Sequence, residues 1–204
     1  MFDARIRPLI DPPLNALGRG LAGIGVTANG VTLVGFAFGV LAAILIAFGQ
    51  PIWALVFIAL SRLADGLDGA VARAAGGSDF GGFLDIVCDF AFYGLIPMAF
   101  VFADPVTNGA AGAFLLCSFY VNGASFLAYA VLAEKHEMES KARGEKALYF
   151  TGGILEGAET IGFFVLLCLL PAWFAPLSWV FGVLCFITAT SRVILAWRVF
   201  GAIR

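Results

Sequence analysis

The sequence has little charge and almost no histidine. Charged residues make up 13% of the 204-residue chain, and there is one histidine, whereas soluble globular domains carry about 25% charged residues. Hydrophobic residues reach 61% of the chain, and the mean hydropathy is +0.97. This composition excludes an ordinary soluble domain and is typical of an integral membrane protein. Because His136 lies in a polar stretch, the apolar segments offer no histidine as a general base.

Other signals are also missing. No basic run marks a nucleic-acid-binding tail, and the net charge is −2, so we expect no nucleic-acid partner. The four cysteines stand singly in apolar runs without metal-ligand spacing and are interpreted as small buried hydrophobes. Prolines occupy the place of a signal-peptide apolar core, so we expect no cleavable leader. We find no inverted repeat of the kind common in transporters.

Long apolar segments are what the sequence does contain. A membrane-spanning helix needs about 20 mostly apolar residues, and six segments approach or exceed that length, at residues 31–48, 52–72, 83–102, 110–133, 148–170 and 174–198. Residues 3–21 combine three arginines with leucines and isoleucines at helical spacing, which predicts an amphipathic helix on the membrane surface. We therefore predict an all-α integral membrane protein. It forms one domain over 1–204, with the juxtamembrane helix 3–21 and a six-helix transmembrane core within 31–199.

The basic residues predict the orientation. All twelve lysines and arginines fall on one side of the six-helix arrangement, and the three opposite turns carry none. The positive-inside rule then puts both termini in the cytoplasm. We expect a multi-pass protein of the cell inner membrane, with the polar part of its second and third spans near the cytoplasmic face.

Four aspartates interrupt the second and third apolar segments: Asp65, Asp68, Asp85 and Asp89. A carboxylate at membrane depth costs at least about 2.5 kcal/mol, so such residues need a compensating charge. Residues three or four apart share a helix face, which gives each of the two helices one pair of carboxylates. Because a short loop joins these helices, we expect them to be antiparallel neighbours with all four carboxylates converging on one cavity.

Divalent metal ions are the predicted counter-charge. Ligation by carboxylates alone favours Mg²⁺ or Mn²⁺, and four carboxylates match the formal charge of two such ions. Two metals about 3.5–4 Å apart suit phosphoryl or phosphodiester transfer. Arg73, one turn beyond the first aspartate pair, can bind a phosphate. Glycines leave room for a bulky ligand against bare backbone, and four of them accompany the aspartates: Gly66, Gly69, Gly81 and Gly82.

These residues resemble the signature of the CDP-alcohol phosphatidyltransferases, D-x2-D-G-x2-A-R-x8-G-x3-D-x3-D. The matching positions, in order, are Asp65, Asp68, Gly69, Ala72, Arg73, Gly81, Asp85 and Asp89. One departure is that seven residues rather than eight separate Arg73 from Gly81. The six helices and the basic amphipathic start also resemble the family, so the resemblance extends over nearly the whole chain.

The resemblance implies a reaction and a set of roles. A CDP-linked lipid such as CDP-diacylglycerol would react with the hydroxyl of a small polar alcohol in phospholipid biosynthesis, releasing CMP. Asp65, Asp68 and Asp85 would hold two ions of Mg²⁺ or Mn²⁺, and Asp89, at the metal site, would be the general base. The nucleotide site would comprise Asp65, Gly69, Ala72, Arg73 and Gly81. The family is typically homodimeric, and its active site would face the cytoplasm.

The acceptor alcohol is open between two classes. Glu156 and Glu159 share a helix face within an apolar run, and intramembrane carboxylates are functional by default. They could complement the amine of an amino alcohol, pair with Lys146, Arg62 or Arg192, or contribute to the metal site. Lys141, Arg143 and Lys146 form a cationic cluster that suits a phosphorylated polyol, although positive-inside topology alone would also account for them.

Two other functions are compatible with acidic residues in a membrane. An intramembrane prenyltransferase also uses aspartates and Mg²⁺ on a diphosphate, but it would release pyrophosphate rather than CMP. A divalent-cation transporter would use the aspartates as a permeation site without any turnover of a CDP-lipid. Neither alternative accounts for the spacing of the signature.

Overall fold

The computed structural model describes residues 3–136, 155 and 157–201, with side chains described from residue 10 onward. These residues are helical and contain no strand. A short 3₁₀ turn, Pro171–Trp173, precedes the last helix. The helices of the described part are α1 (Asp3–Gly23), α2 (Ala28–Ala47), α3 (Pro51–Ala75), α4 (Asp79–Ala103), α5 (Pro105–Lys135), α6 (Gly157–Leu169) and α7 (Phe174–Phe200).

Local capping explains where several helices begin. Backbone N–H groups in the first turn lack helical partners, and a polar side chain at the N-cap accepts from them. Thr27 accepts from Gly30 N before α2, and Ser78 accepts from Gly81 N before α4. Asp104 accepts from Thr107 N before α5, and this hydrogen bond lowers the pKa of the Asp104 carboxyl.

The helix bounds agree closely with the predicted segments, but the number of spans stays a prediction. Among the described residues, α2, α4, α5 and the segment Pro171–Phe200 are long and apolar enough to cross a membrane. Helix α3 has 25 residues and carries both members of the first aspartate pair. Helix α6 has 13 described residues, and the first part of the predicted fifth span lies outside the described residues.

Close helix contacts through small residues build the part of the fold that holds the aspartates. Helix α2 packs against both α3 and α4. A Cβ atom at Gly35 would lie 2.9 Å from Ala64 Cβ, and one at Gly39 would lie 2.6 Å from Phe92 Cδ2. Both distances are shorter than van der Waals contact, so α2 approaches its neighbours this closely only because these positions are glycine.

Aromatic rings fill the other end of the bundle. Phe163 and Phe181 stack with ring centroids 4.0 Å apart, and Phe100 and Phe174 stack at 5.1 Å. Together with aliphatic residues from α2 to α7 they form one continuous buried cluster. Burial of such large rings dominates core energetics, so this end anchors the arrangement of the helices.

The first helix lies against the aspartate-bearing half of α3. A Cβ atom at Gly18 would be 2.7 Å from the backbone carbonyl carbon of Ala70. Leu14 is buried at the same contact and would be 3.0 Å from a Cβ atom at Gly66. The amphipathic pattern of residues 3–21 therefore packs one face of α1 on the protein. That α1 also lies at the membrane surface stays a prediction.

Candidate active site

Three carboxylates from two helices meet at one point. Asp65 on α3 and Asp85 and Asp89 on α4 each offer an oxygen, and these three atoms all lie within 4.8 Å of one another. The two helices are joined by three residues, 76–78, and Gly76 has a φ of +93°. Such a left-handed angle favours glycine, and it lets the chain reverse tightly enough to bring the aspartate pairs together.

Asp68 lines the same pocket but has a partner of its own. Thr32 Oγ1 on α2 lies 2.6 Å from Asp68 Oδ2, at hydrogen-bond distance, and the Asp68 residue is only 6% exposed. A short hydrogen bond to a carboxylate is among the stronger kinds. The four predicted side chains therefore share one pocket, hereafter the acidic pocket, which is lined mainly by Thr32, Ser61, Arg62, Asp65, Asp68, Asp85, Cys88 and Asp89.

Arg62 also lines this pocket, although the sequence alone did not predict a contact between Arg62 and the aspartates. Its Nη1 donates to Asp89 Oδ1 at 2.8 Å and lies 3.6 Å from Asp65 Oδ1. One guanidinium thus bridges carboxylates of α3 and α4. The i, i+3 spacing of Arg62 and Asp65 was the available sequence signal, but the contact across to α4 depends on how the two helices are rotated.

Contacts with neighbouring side chains explain which residue types occupy the predicted nucleotide-binding positions. Arg73 donates to Asn15 Oδ1 on α1 from Nε at 3.2 Å and from Nη2 at 2.9 Å. Its guanidinium passes over Gly69, where a Cβ atom would be 3.3 Å from Arg73 Nη1. Gly81 lies under Asn29, whose Oδ1 would be 2.9 Å from a Cβ atom there.

Asn29 and Ala72 complete this description. Asn29 lies in the first turn of α2, after the N-cap residue Thr27, and it contacts the start of α4 at Gly81. Ala72 is half-buried on α3, one residue before Arg73. The roles of these positions toward a nucleotide stay predictions.

The candidate acceptor residues lie mostly outside the described residues. This applies to Lys141, Arg143, Lys146 and Glu156. Glu159 lies in the first turn of α6 and is half-buried; it is not among the described residues that line the acidic pocket. Helix α6 begins beside Tyr93, since a Cβ atom at Gly157 would be 3.4 Å from the Tyr93 hydroxyl.

A second buried arginine lies between α5 and α7. Arg192 Nη1 donates to Asn122 O and Oδ1 at 3.0 Å and to Ser125 Oγ at 2.6 Å. Gly123, the neighbour of Asn122, packs directly against the ring of Phe90. Because Phe90 follows Asp89 on α4, Arg192 lies at about the level of the acidic pocket in the bundle.

Several proteins are similar in sequence to this chain over most of its length. Inner membrane protein YnjF of Escherichia coli (strain K12) is 50% identical over 193 residues, covering 95% of this chain and 94% of that protein. Phosphatidylinositol phosphate synthase of Mycolicibacterium smegmatis is 32% identical, covering 88% and 78%. The Corynebacterium glutamicum protein of the same name is 34% identical, covering 67% and 59%.

The fold also matches solved structures. The crystal structure of Mycobacterium tuberculosis phosphatidylinositol phosphate synthase with CDP-DAG bound has a TM-score of 0.70 at 24% identity, covering 90% of this chain and 93% of that one. The same enzyme in complex with manganese and citrate has a TM-score of 0.64 at 22% identity, covering 90% and 88%. At these identities the likeness establishes the fold.

The family assignment rests on the signature, on its position in the fold and on the extent of the match. A model of the CDP-alcohol phosphatidyltransferase family matches residues 25–200, which include both aspartate pairs. This decides between the enzyme and the two alternatives raised by the acidic residues, the prenyltransferase and the cation transporter. The chain belongs to the CDP-alcohol phosphatidyltransferase family, and it is an enzyme of phospholipid biosynthesis in a membrane.

Proposed function

We propose that this chain transfers a phosphatidyl group from CDP-diacylglycerol to the hydroxyl of a small polar alcohol and releases CMP. The observation that carries the proposal is the approach of three carboxylate oxygens, from Asp65, Asp85 and Asp89, within 4.8 Å. These residues belong to the signature of the family and come from two neighbouring helices. Such a cluster can hold divalent cations, which would neutralise the negative charge of a diphosphate-linked substrate so that CMP can leave.

The donor set fits a divalent metal. It consists of carboxylate oxygens, the ligand type that Mg²⁺ and Mn²⁺ prefer. We propose that Asp65, Asp68 and Asp85 hold two such ions, which neutralise phosphate oxygens and orient the attack. Asp68 supports this role because it lines the same pocket as Asp65 and Asp85.

The remaining roles fall to the protein's own side chains. Asp89 is the proposed general base that takes the proton of the acceptor hydroxyl. Arg73 is proposed to bind a phosphate of the nucleotide, and its hydrogen bonds to Asn15 keep it extended along α3. Gly69, Ala72 and Gly81 are proposed to leave room for the nucleotide.

A phosphorylated polyol, such as inositol phosphate, is the acceptor that we propose. Relatives that are 32% and 34% identical are named phosphatidylinositol phosphate synthase. Arg192 supports the same choice, since it is a buried cation near the level of Asp89. Lys141, Arg143 and Lys146 add positive charge to the sequence between α5 and α6. The competing acceptor is an amino alcohol bound by Glu156 and Glu159. Its positively charged amine would need a carboxylate as partner rather than a cation.

We further propose an orientation and an assembly. The distribution of the twelve basic residues supports a cytoplasmic location for both termini and the acidic pocket, in the inner membrane. A homodimer is proposed from the family alone. Crosslinking of the purified protein in lipid nanodiscs would test the dimer, and labelling of an engineered terminal cysteine in intact and opened cells would test the orientation.

The experiment that tests the function measures CMP release by purified protein. CDP-diacylglycerol and Mn²⁺ or Mg²⁺ are supplied with inositol 1-phosphate, glycerol 3-phosphate, serine, ethanolamine or choline in separate reactions. We expect CMP only when metal and a phosphorylated polyol are both present. CMP release with serine, ethanolamine or choline instead would move the acceptor to the amino alcohols. Absence of CMP with every alcohol would contradict the proposed transfer.

Asp89→Asn tests the general base. The amide keeps the size of the side chain but cannot take a proton, so we expect turnover to fall by about 10²–10⁴-fold, with CDP-diacylglycerol still bound. Asp79→Asn is the matched control, because Asp79 is an exposed carboxylate at the start of the same helix. Turnover of Asp89→Asn close to that of Asp79→Asn would reject Asp89 as the base.

A further inference from the structure

Arg62 occupies the place where a counter-charge is needed. Its Nη1 contacts Asp89 at 2.8 Å and Asp65 at 3.6 Å, and these two residues are members of the three-oxygen cluster. The arginine therefore engages two of the three carboxylates that come closest together. A group that binds the cluster has to share these carboxylates with the guanidinium or move it.

The position of Arg62 is determined by contacts on three sides. Its Cζ lies 4.1 Å from the centroid of the Phe92 ring, a distance at which a cation is attracted to the ring face. Its Nη2 donates to Ser61 Oγ at 3.2 Å, and Ser61 and Phe92 are fully buried. The Arg62 side chain is only 18% exposed, so it is a fixed part of the pocket rather than a surface arm.

The pocket is small with Arg62 in this position. Its cavity volume is about 10 Å³. Four carboxylates and one guanidinium line this space. The guanidinium reduces the repulsion among the carboxylates, and it places a positive charge beside the site that is proposed to hold divalent cations. Like charges this close oppose each other's binding.

We propose that Arg62 is a tethered counter-cation, a built-in competitor that neutralises Asp65 and Asp89 when no divalent ion is bound and weakens the affinity of the pocket for metal. This inference rests on the proposed metal site. The arginine stabilises the metal-free protein, and metal binding has to overcome its ion pairs. Arg62 thus acts through the carboxylates rather than on a substrate, and it determines the metal concentration at which the pocket binds its ions.

The test measures metal binding and unfolding separately from activity. Wild type, Arg62→Gln, Arg62→Lys and the control Arg198→Gln are purified in detergent micelles. Mn²⁺ affinity is measured by isothermal titration calorimetry, and thermal unfolding is followed in EDTA and in Mn²⁺. Arg198 is an exposed cation in the last turn of α7, so its variant reproduces the loss of one charge away from the pocket.

Removing the competitor should tighten metal binding. We expect Arg62→Gln to lower the Kd for Mn²⁺ by about tenfold or more, within the range of coupling between two ligands of one protein. Its unfolding temperature should fall in EDTA and recover in Mn²⁺. Arg62→Lys keeps the charge without the planar fork that bridges two carboxylates, so its Kd should fall less. Arg198→Gln should match wild type in both measurements.

The outcomes separate this inference from the proposed function. If wild type binds no Mn²⁺, the proposed metal site is wrong. If wild type binds Mn²⁺ and folded Arg62→Gln binds it equally or more weakly, Arg62 is not a competitor and the inference is overturned. Should Arg62→Gln fail to fold, Arg62→Lys decides, because a Kd equal to or weaker than that of wild type overturns the inference and a tighter one supports it.

Discussion

The two halves of α4 differ in burial and in charge. Its buried residues all lie in the second half: Phe92, Ile96, Pro97, Ala99 and Phe100. The first half carries Asp85 and Asp89 on one side and exposed Phe80 and Phe83 on another. The charged half is thus left open to solvent and ligands, where ionised carboxylates are less costly, while the apolar half fixes the position of the helix.

Phe92 joins these two halves. One of its contacts is the guanidinium of Arg62 in the acidic pocket, and another is the edge of the Phe164 ring in the apolar cluster, at a centroid distance of 5.9 Å and an angle of 65°. Gly39 on α2 leaves space for the same ring. The geometry of the acidic pocket therefore depends on side-chain packing one helical turn away from it.

Among changes that test the difference between the two halves, Phe92→Ala is expected to have the largest effect on stability. Truncating a fully buried phenylalanine should lower the free energy of unfolding by about 3–5 kcal/mol, because a cavity replaces the ring. Reversible denaturant unfolding in micelles measures this change. Phe83→Ala, in the exposed half of α4, is the control and should shift the value by no more than about 0.5 kcal/mol. Equal losses in the two variants would contradict a division of α4 into an anchoring and an open half.

A smaller loss is expected from Gly39→Ala. Alanine favours a helix over glycine by about 1 kcal/mol, but the new methyl would lie 2.6 Å from the Phe92 ring, and overpacking costs about 1–3 kcal/mol. We expect a net loss of up to about 2 kcal/mol in the same unfolding measurement. Gly94→Ala is the matched control, since nothing lies within 4 Å of its Cβ position, and it should be neutral or stabilising. A stabilised Gly39→Ala would show that α2 and α4 can move apart freely.

The smallest effect in this series is expected from Thr32→Val, measured in EDTA. Loss of a hydrogen bond to a charged group costs about 1.5–3 kcal/mol. The Thr32 hydroxyl also lies 3.1 Å from Ala28 O, and sharing its one proton between two acceptors should bring the value to the lower end. Thr188→Val removes a buried hydroxyl that donates only to Leu184 O of its own helix, so it should cost less. If Thr188→Val costs as much, the hydrogen bond to Asp68 makes no special contribution.

Much of the site followed from residue spacing. Asp65 and Asp68, like Asp85 and Asp89, share a helix face because of the period of the helix, and the short loop between α3 and α4 requires the two pairs to be neighbours. The helix bounds also followed from the positions of the long apolar segments. These features are local, and local geometry is encoded in short stretches of sequence.

Contacts between distant helices could not be predicted in the same way. Thr32 and Asp68 are 36 residues apart, and Arg62 and Asp89 are 27 apart, so their pairing depends on helix rotation and side-chain rotamers. From the sequence we predict metal ions as the counter-charge to the aspartates. The structure adds a counter-charge from the protein itself, Arg62, whose hydrogen bond to Asp89 on the neighbouring helix no spacing within one helix would indicate.

The exposed side of the first half of α4 has a consequence for how the proposed CDP-lipid substrate would approach the enzyme. Phe80 and Phe83 are each 62% exposed and Val87 is 47% exposed, on the same turns that carry the carboxylates. A diacyl chain could thus lie along this helix while its headgroup reaches the aspartates, without leaving the leaflet. Encounter would then occur by two-dimensional diffusion, and the turnover rate would follow the mole fraction of the substrate among the surrounding lipids rather than its bulk concentration.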